Sequence, residues 1–341
     1  MNSRSWKPVD AYSEEIGFEV SRKLEGSTLL ITGGLGLLGL TSLGYVEYLK
    51  NSFGLNVDLT LTSRSDQGLP LADSFGSGFT FLPGDLAEPE FLAALPKYDF
   101  IMHAAGYGQP SKFLADPLST LTVNSFATVE LRRRAKEGYL FVSSSEVYSG
   151  VEHSLISENE IGTTGPAHAR APYIEAKRFG EAATLVHAGS GVEQGSVARL
   201  ALAYGPGTRW ADNRVMSELI VRGLTENNIV LRDSGNRLRT YCFAEDAVEM
   251  LFGILAKSRG ETFNVGGKST TSIREMGSAI ADRLGVGFSA QDIDLQLDSS
   301  PVNVSLDCSK VQKFLGKEQF TPLGKGLDQT VAWYRELMAR V

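Results

Sequence analysis

A chain of 341 residues, 42% hydrophobic and 21% charged, can bury one sizeable core or a large unit beside a smaller one, and it is not a disordered composition. A net charge of −7 and a pI near 5.3 exclude the basic footprint of a nucleic-acid binder. Two cysteines, Cys242 and Cys308, and four histidines without HxxxH or CxxC spacing exclude a disulfide framework and leave no metal centre expected.

In chain order, residues 1–26 read as a polar leader that packs on the main domain. "MNSRSWKPVDAYSEE" lacks the apolar run of a signal peptide, and no stretch reaches the ~18 apolar residues of a membrane span. The expected setting is cytoplasmic and reducing, with no membrane partner. From residue 27, "STLLITGGLGLLGL" gives a buried strand over Leu29–Thr32, a glycine turn, and a helix ending near Gly54. "NVDLTLTSR", "FTFLPGDL" and "YDFIMHAAG" predict three further strands. A helical stretch over 116–137 leads to "GYLFVSSSEVY", the fifth strand. The basic run "LRRRAKEG" (131–138) reads as the polar face and last turn of that helix. "YIEAKRFGEAATLVHAG" predicts a helix before "GSVARLALAYGP", the sixth strand.

Strands alternating with helices predict an α/β fold, a Rossmann-like doubly wound parallel sheet over 27–204 that also carries the catalytic residues. Beyond 205 the pattern is patchier. It includes a helix at "RVMSELIVRGL", an amphipathic helix at "AEDAVEMLFGILAKS" and a strand at "ETFNVGG". Residues 205–341 therefore read as a smaller α+β substrate lobe.

The motifs fall where such folds bind ligands, at the carboxyl ends of the strands. "TGGLGLLG" (32–39) places Gly33, Gly36 and Gly39 between a strand and a helix that opens at Leu37 and Leu38. Glycines admit a pyrophosphate to the backbone, and the helix N-terminus offers free N–H groups. The second strand ends in Ser63 and Arg64 instead of the acid that holds an adenosine ribose. Arg64 is what a 2′-phosphate would want, so NADP stands beside NAD; a solvated loop arginine is the plain alternative. Asp85 and Leu86 in "PGDL" sit where adenine would lie, though Asp85 could simply cap a helix. His103, Ala104, Ala105 and Gly106 supply small residues where a cofactor passes close to the backbone. Tyr173 and Lys177, four apart in "YIEAK", share one helix face. A neighbouring ammonium lowers a phenol's pKa, which suits Tyr173 to accept a proton from an alcohol. Tyr-x-x-x-Lys alone is common by chance; its place after the glycine turn and a serine-rich strand end gives it weight.

This ordered set, with "VNSFAT" (123–128), "SSSEVY", "RLALAYGPG" (199–207) and "GNRLRTYCFAEDA" (235–247), resembles the extended short-chain dehydrogenases/reductases. Within them it is similar to the NAD-dependent epimerase/dehydratase family acting on nucleotide sugars, and most to UDP-glucuronate decarboxylases. The resemblance runs from about residue 27 to the C-terminus. It implies that Tyr173 takes the sugar 4-hydroxyl proton as hydride goes to the nicotinamide, that Lys177 tunes Tyr173 and binds the nicotinamide ribose, and that Ser144 shares or relays the proton. It places Asn124 at the cofactor and makes the 205–341 lobe mainly nucleotide-sugar-binding. Ser145-Glu146 matches the Ser-Glu of the decarboxylases, where 4,6-dehydratases carry Asp-Glu. Glu146 would orient substrate or handle a proton near C5. Arg170, Arg214 and Arg239 match substrate-side arginines, a surface charge being the alternative for each. A homodimer through two helices per subunit is also implied.

The chain departs from that pattern at Leu202, where the family has asparagine, at Ser63, in "YIEAK", and in "YGQPSKF" after HAAG. The leading expectation is transient C4 oxidation by bound NAD(P) followed by decarboxylation of a UDP-uronic acid. The alternatives are 4-epimerisation, 4,6-dehydration, or NADPH-dependent reduction of a keto-sugar.

Overall fold

The computed structural model describes residues 12–67, 69–73, 75–153, 155–186, 195–293 and 303–339. Its strands are β1 (Thr28–Thr32), β2 (Asp58–Ser63), β3 (Phe79–Pro83), β4 (Tyr98–His103), β5 (Ala135–Ser144) and β6 (Ser196–Leu200). After them come β7 (Leu202–Tyr204), β8 (Asn228–Leu231), β9 (Leu238–Phe243), β10 (Thr262–Val265), β11 (Thr270–Ser272) and β12 (Gly287–Ala290). Seven strands form one sheet in the order β3-β2-β1-β4-β5-β6-β10, and each neighbouring pair is parallel. Chain direction across the sheet reverses between β1 and β4, and a crevice opens at that switch point.

The helices begin with α1 (Glu14–Leu24), α2 (Leu37–Phe53), α3 (Leu69–Ala72), α4 (Pro89–Ala94), α5 (Pro110–Ala115), α6 (Pro117–Asn124), α7 (Phe126–Arg132) and α8 (Ala171–Leu185). They continue with α9 (Val215–Glu226), α10 (Ala244–Lys257), α11 (Ile273–Leu284), α12 (Ser309–Leu315) and α13 (Leu323–Met338). Alternation along each strand divides the core. Leu29 and Ile31 of β1 point into the cluster that includes α1, α2 and α10, while Leu30 joins Ile101, Phe141, Ala127 and Leu131 on the opposite face. Strands buried on both faces explain the near-continuous apolar runs of β1, β4 and β5.

Several local expectations are corrected. The helical stretch over 116–137 is two helices, broken at Ser125 (φ −111°, ψ −78°), and β5 already begins at Ala135. Arg132 in the basic run is buried and donates to the Thr184 and Val186 carbonyls, which finish α8. The leader expected over 1–26 ends in α1, capped by Ser13 and packed through Ile16, Val20 and Leu24 on α2 and α10; residues 1–11 lie outside the described residues. Helix α10, expected to be amphipathic, is buried from Ala244 to Ala256 because α1, α2 and α12 cover the face turned away from the sheet. Strand β10, from the stretch expected in the second lobe, pairs with β6 and closes the main sheet. The 205–341 stretch otherwise supplies the β12-β8 sheet and, with β7 just before it, the β11-β9-β7 sheet. Among the described residues no helix is long and apolar enough to cross a membrane.

Candidate active site

At the carboxyl ends of β1 and β4 the chain builds a cradle. Gly33 adopts φ +71°, and a Cβ there would lie 2.9 Å from the Ala105 Cα, so strand end and "HAAG" segment approach backbone to backbone. A Cβ on Gly39 would sit 2.3 Å from the Gly34 carbonyl oxygen, which lets α2 start hard against the turn. Gly36 precedes α2 with no side-chain cap, so the first N–H groups of the helix face the crevice beside Leu37 and Leu38. His103 sits behind this wall. Its Nε2–H donates to the Val123 carbonyl at 3.0 Å, the Thr32 hydroxyl donates to its Nδ1 at 2.7 Å, and Thr32 Oγ1 accepts from Ala105 N–H at 3.1 Å. Burial first, then the Lys177 ammonium, push the imidazole pKa down to about 3, so it is neutral and ties β1 to β4.

Ser63 and Arg64 close β2 at the far end of the cavity. Arg64 faces Asp85 at 3.9 Å and lies over the Tyr107 ring, 4.8 Å from its centroid. Between these ends the cavity encloses about 650 Å³. The buried Asn124 Oδ1 has no hydrogen-bond partner, and a Cβ at Gly106 would approach it to 3.3 Å. Bare helix N-terminus and glycine cradle together fit a dinucleotide.

Past the middle of the cavity, β5 ends at Ser144 and turns at once into a 3₁₀ helix, Ser145–Tyr148. Ser144 Oγ accepts from Glu146 N–H at 3.2 Å and stands close enough to the Tyr173 hydroxyl to favour its ionised form. Pro172 stands in the first turn of α8, where a missing N–H costs nothing, and Tyr173 and Lys177 follow on its buried face. Lys177 Nζ donates to the Val142 carbonyl at 2.8 Å. Burial pushes its pKa down to about 7, against the opposing pull of Glu181. The expected lowering of the Tyr173 pKa is not what the structure shows. Burial raises the phenol to about 12, and the Ser144 hydroxyl only partly offsets it. The Phe113 ring lies flat on Tyr173, with centroids 4.5 Å apart and planes inclined by 9°.

Arg170 grips Glu146 with two hydrogen bonds, Nε to Oε2 at 3.1 Å and Nη2 to Oε1 at 2.5 Å, and covers the Phe113 ring. Arg214 is paired with Asp212 in the same two-pronged way and donates to the Ala203 carbonyl. Arg239 is buried and donates to the Leu238 carbonyl. The Glu146 charge acts on both Tyr173 and Arg239, so these side chains share one electrostatic neighbourhood. Eight lysines and arginines line the cavity against four acids, in a chain whose net charge is −7.

Gly33, Gly36, Leu37, Leu38, Ser63, Arg64, Asp85, Leu86 and Ala104 to Gly106 line the cavity at the dinucleotide end. Ser144, Ser145, Glu146, Arg170, Tyr173, Lys177, Arg214 and Arg239 line it at the other. Gly39, His103 and Asn124 stand behind the wall, because helix packing, a strand-to-strand tie and a bond from Asn124 Nδ2 to the Thr120 carbonyl hold them there. Phe113, Tyr107, Gln109 and Asp212 line the site and were not read from the sequence. Of these only Asp212 carried a signal, an acid two residues before Arg214.

Fold and cradle define a Rossmann-like protein whose cavity runs from a glycine turn that fits a dinucleotide to a cluster of serine, tyrosine and lysine. The profile of the NAD dependent epimerase/dehydratase family matches residues 29–266, and the chain belongs to that family. UDP-glucuronic acid decarboxylase 1 of Xenopus tropicalis is 27% identical over 318 residues, which cover 90% of this chain and 72% of the relative. Among solved structures, the epimerase Mth375 of Methanothermobacter thermautotrophicus has TM-score 0.80 at 19% identity, covering 95% of this chain and 97% of that one. The dTDP-glucose 4,6-dehydratase DesIV of Streptomyces venezuelae, solved with NAD bound, has TM-score 0.77 at 22% identity, covering 92% and 98%. These two likenesses establish the fold.

Proposed function

We propose that this protein modifies a nucleotide sugar through transient oxidation at C4, and that its reaction is the decarboxylation of a UDP-uronic acid. The observation that carries the reading is the convergence of Ser144, Tyr173 and Lys177 with the Arg170-held Glu146 at one end of a cation-rich dinucleotide cavity. The 27% identical UDP-glucuronic acid decarboxylase supports the same choice. Ser63, Arg64, Asp85 and the cradle of Gly33 and Gly36 would hold the cofactor, NAD in this reading. NAD held there would supply the hydride acceptor for the oxidation and, once reduced, the hydride donor for the final reduction. Tyr173, in its tyrosinate form, would take the 4-hydroxyl proton, directly or by way of Ser144 beside it, and would give it back when the ketone is reduced again. Lys177 anchors to Val142 and offers its remaining N–H donors toward the ribose. A C4 ketone makes the sugar a β-keto acid, which loses CO2 readily. Arg239 and Arg170 stand where an anionic substrate group is compensated, and Glu146, fixed by Arg170, orients the sugar or handles the proton near C5.

The test is incubation with a panel of UDP-, dTDP-, GDP- and CDP-sugars read by mass spectrometry. Loss of CO2 from a uronic acid supports decarboxylation; loss of water or an unchanged mass with inverted C4 replaces it by dehydration or epimerisation. Tyr173→Phe abolishes turnover and retains cofactor, and an active Tyr173→Phe protein would sink the mechanism. A second reading, net reduction of a keto-sugar with NADPH, is favoured by Ser63 and Arg64 at the end of β2. Protein purified with tightly held NAD rejects it, whereas ready exchange with added NADPH adopts it.

A further inference from the structure

We infer that Glu181 is a positioning residue for the Ser144–Tyr173–Lys177 centre, setting the register of α8 on the end of β5 and sustaining the charge of Lys177. The inference rests on reading that centre as the proton-transfer machinery.

Tyr173, Lys177 and Glu181 are spaced four apart, so they face β5 from successive turns of α8, and all three are buried. Three consecutive residues of β5 receive them. The Val142 carbonyl accepts from Lys177 at 2.8 Å, Ser143 Oγ donates to Glu181 Oε1 at 2.6 Å, and Ser144 stands beside Tyr173. Slippage of α8 along the strand would break both hydrogen bonds and carry Tyr173 away from Ser144. Glu181 is itself immobilised from the next strand. Arg199 of β6, paired in register with Ser143, donates Nε to Oε1 at 3.0 Å and Nη2 to Oε2 at 2.7 Å. The Arg199 Nη1 then reaches the Tyr148 hydroxyl at 2.9 Å and the Glu158 and Glu160 carbonyls, and Tyr148 donates to Asn264 Oδ1 on β10 at 2.7 Å. The segment after Ser144, the helix with the tyrosine and the sheet edge are thus bound to one carboxylate.

The charge argument is separate. Around Lys177 lie Glu181 and the neutral Tyr173 on α8, the neutral His103 on β4, and Arg199 of β6 on the far side of Glu181. Burial disfavours the ammonium, and Glu181 is the neighbour that favours it.

The full chain, labelled with ¹⁵N-lysine and kept with the cofactor it purifies with, reads both roles. The Lys177 ¹⁵Nζ resonance is assigned by its loss in Lys177→Arg. Glu181→Gln lowers its titration midpoint by about one pH unit, while Glu181→Asp, which keeps the charge, stays near the parent. Ser143→Ala leaves the Glu181–Arg199 pair and the midpoint unchanged but loosens the register. Turnover of UDP-glucuronate by Ser143→Ala and Glu181→Asp then falls about tenfold in kcat, with KM held within about twofold. A Glu181→Gln midpoint equal to the parent's overturns the charge role, and parental kcat in both Ser143→Ala and Glu181→Asp overturns the register role. Tyr173→Phe keeps the readings apart. If it turns over normally, the reading of the centre fails; if it is inactive while Glu181→Gln behaves as the parent in both assays, only Glu181 loses its role.

Discussion

Arg170 connects three residues that the sequence presents separately. Its guanidinium holds the Glu146 carboxylate through both oxygens and lies over Phe113, whose ring rests on Tyr173. Arg170 is 8% exposed and Glu146 19%, so the pair is largely desolvated and removal of one partner strands the other. Arg170→Met should cost about 2 kcal/mol in urea unfolding, whereas the surface pair Lys23–Glu137, half exposed on both sides, should show under about 0.5 kcal/mol. Glu146→Gln should retain NAD and lower decarboxylation about a hundredfold, with a far smaller effect on any simple C4 epimerisation. Lys177 carries a pH signature. Unfolded, it keeps its proton to about pH 10.5; folded, only to about pH 7. Between these values the unfolded chain binds more protons, so stability rises with pH, and below pH 7 the buried ammonium weighs fully against the fold. Lys177→Met should therefore raise the melting temperature more at about pH 6 than at about pH 9, and an equal gain at both would contradict the depressed pKa. The serines of "SSSEVY" show what a single sequence could convey. Ser144 was legible from its place in a motif, but the partner of Ser143 was not, because Glu181 lies 38 residues away and only the helix-to-strand register joins them.

At the scale of elements, legibility followed locality. The runs that became β1, β4 and β5 announced themselves because parallel strands buried on both faces read as unbroken apolar stretches. The break at Ser125 did not, since neither proline nor glycine marks it. The burial of α10 on every side was also hidden, because α1 and α12, which cover it, lie far from it in sequence. The glycine turn was legible, yet its three glycines differ in what they permit. A methyl on Gly39 meets a backbone oxygen at 2.3 Å, so Gly39→Ala must push α2 off the turn, costing about 3 kcal/mol and NAD affinity together. A methyl on Gly36 meets only the Gly33 carbonyl, at 3.2 Å, and Gly36→Ala should keep the parental melting temperature while weakening NAD binding. Calorimetric titration with NAD beside a thermal melt separates the two; equal melting temperatures would contradict the packing role of Gly39.

For the whole molecule, the helices that build the site have a second face. Helix α8 turns Tyr173 and Lys177 inward and Phe179, 50% exposed, outward; α6 and α7 present Leu118 at 74% and Phe126 at 42%. Phe126, Val129, Ala176 and Phe179 line one groove. Large apolar side chains grouped on one face are costly to leave in water, and a second copy of this chain is the occupant we propose, in line with the homodimer that the family resemblance implies. An interface there would stiffen α8 from outside, on the helix whose register against β5 brings Tyr173 to Ser144. Light scattering should then give a dimer for the parent chain. Phe179→Asp, which places a charge on that face, should give a monomer with its cofactor retained and its turnover reduced. A monomeric parent, or a Phe179→Asp protein that remains dimeric, would remove α6, α7 and α8 as the interface.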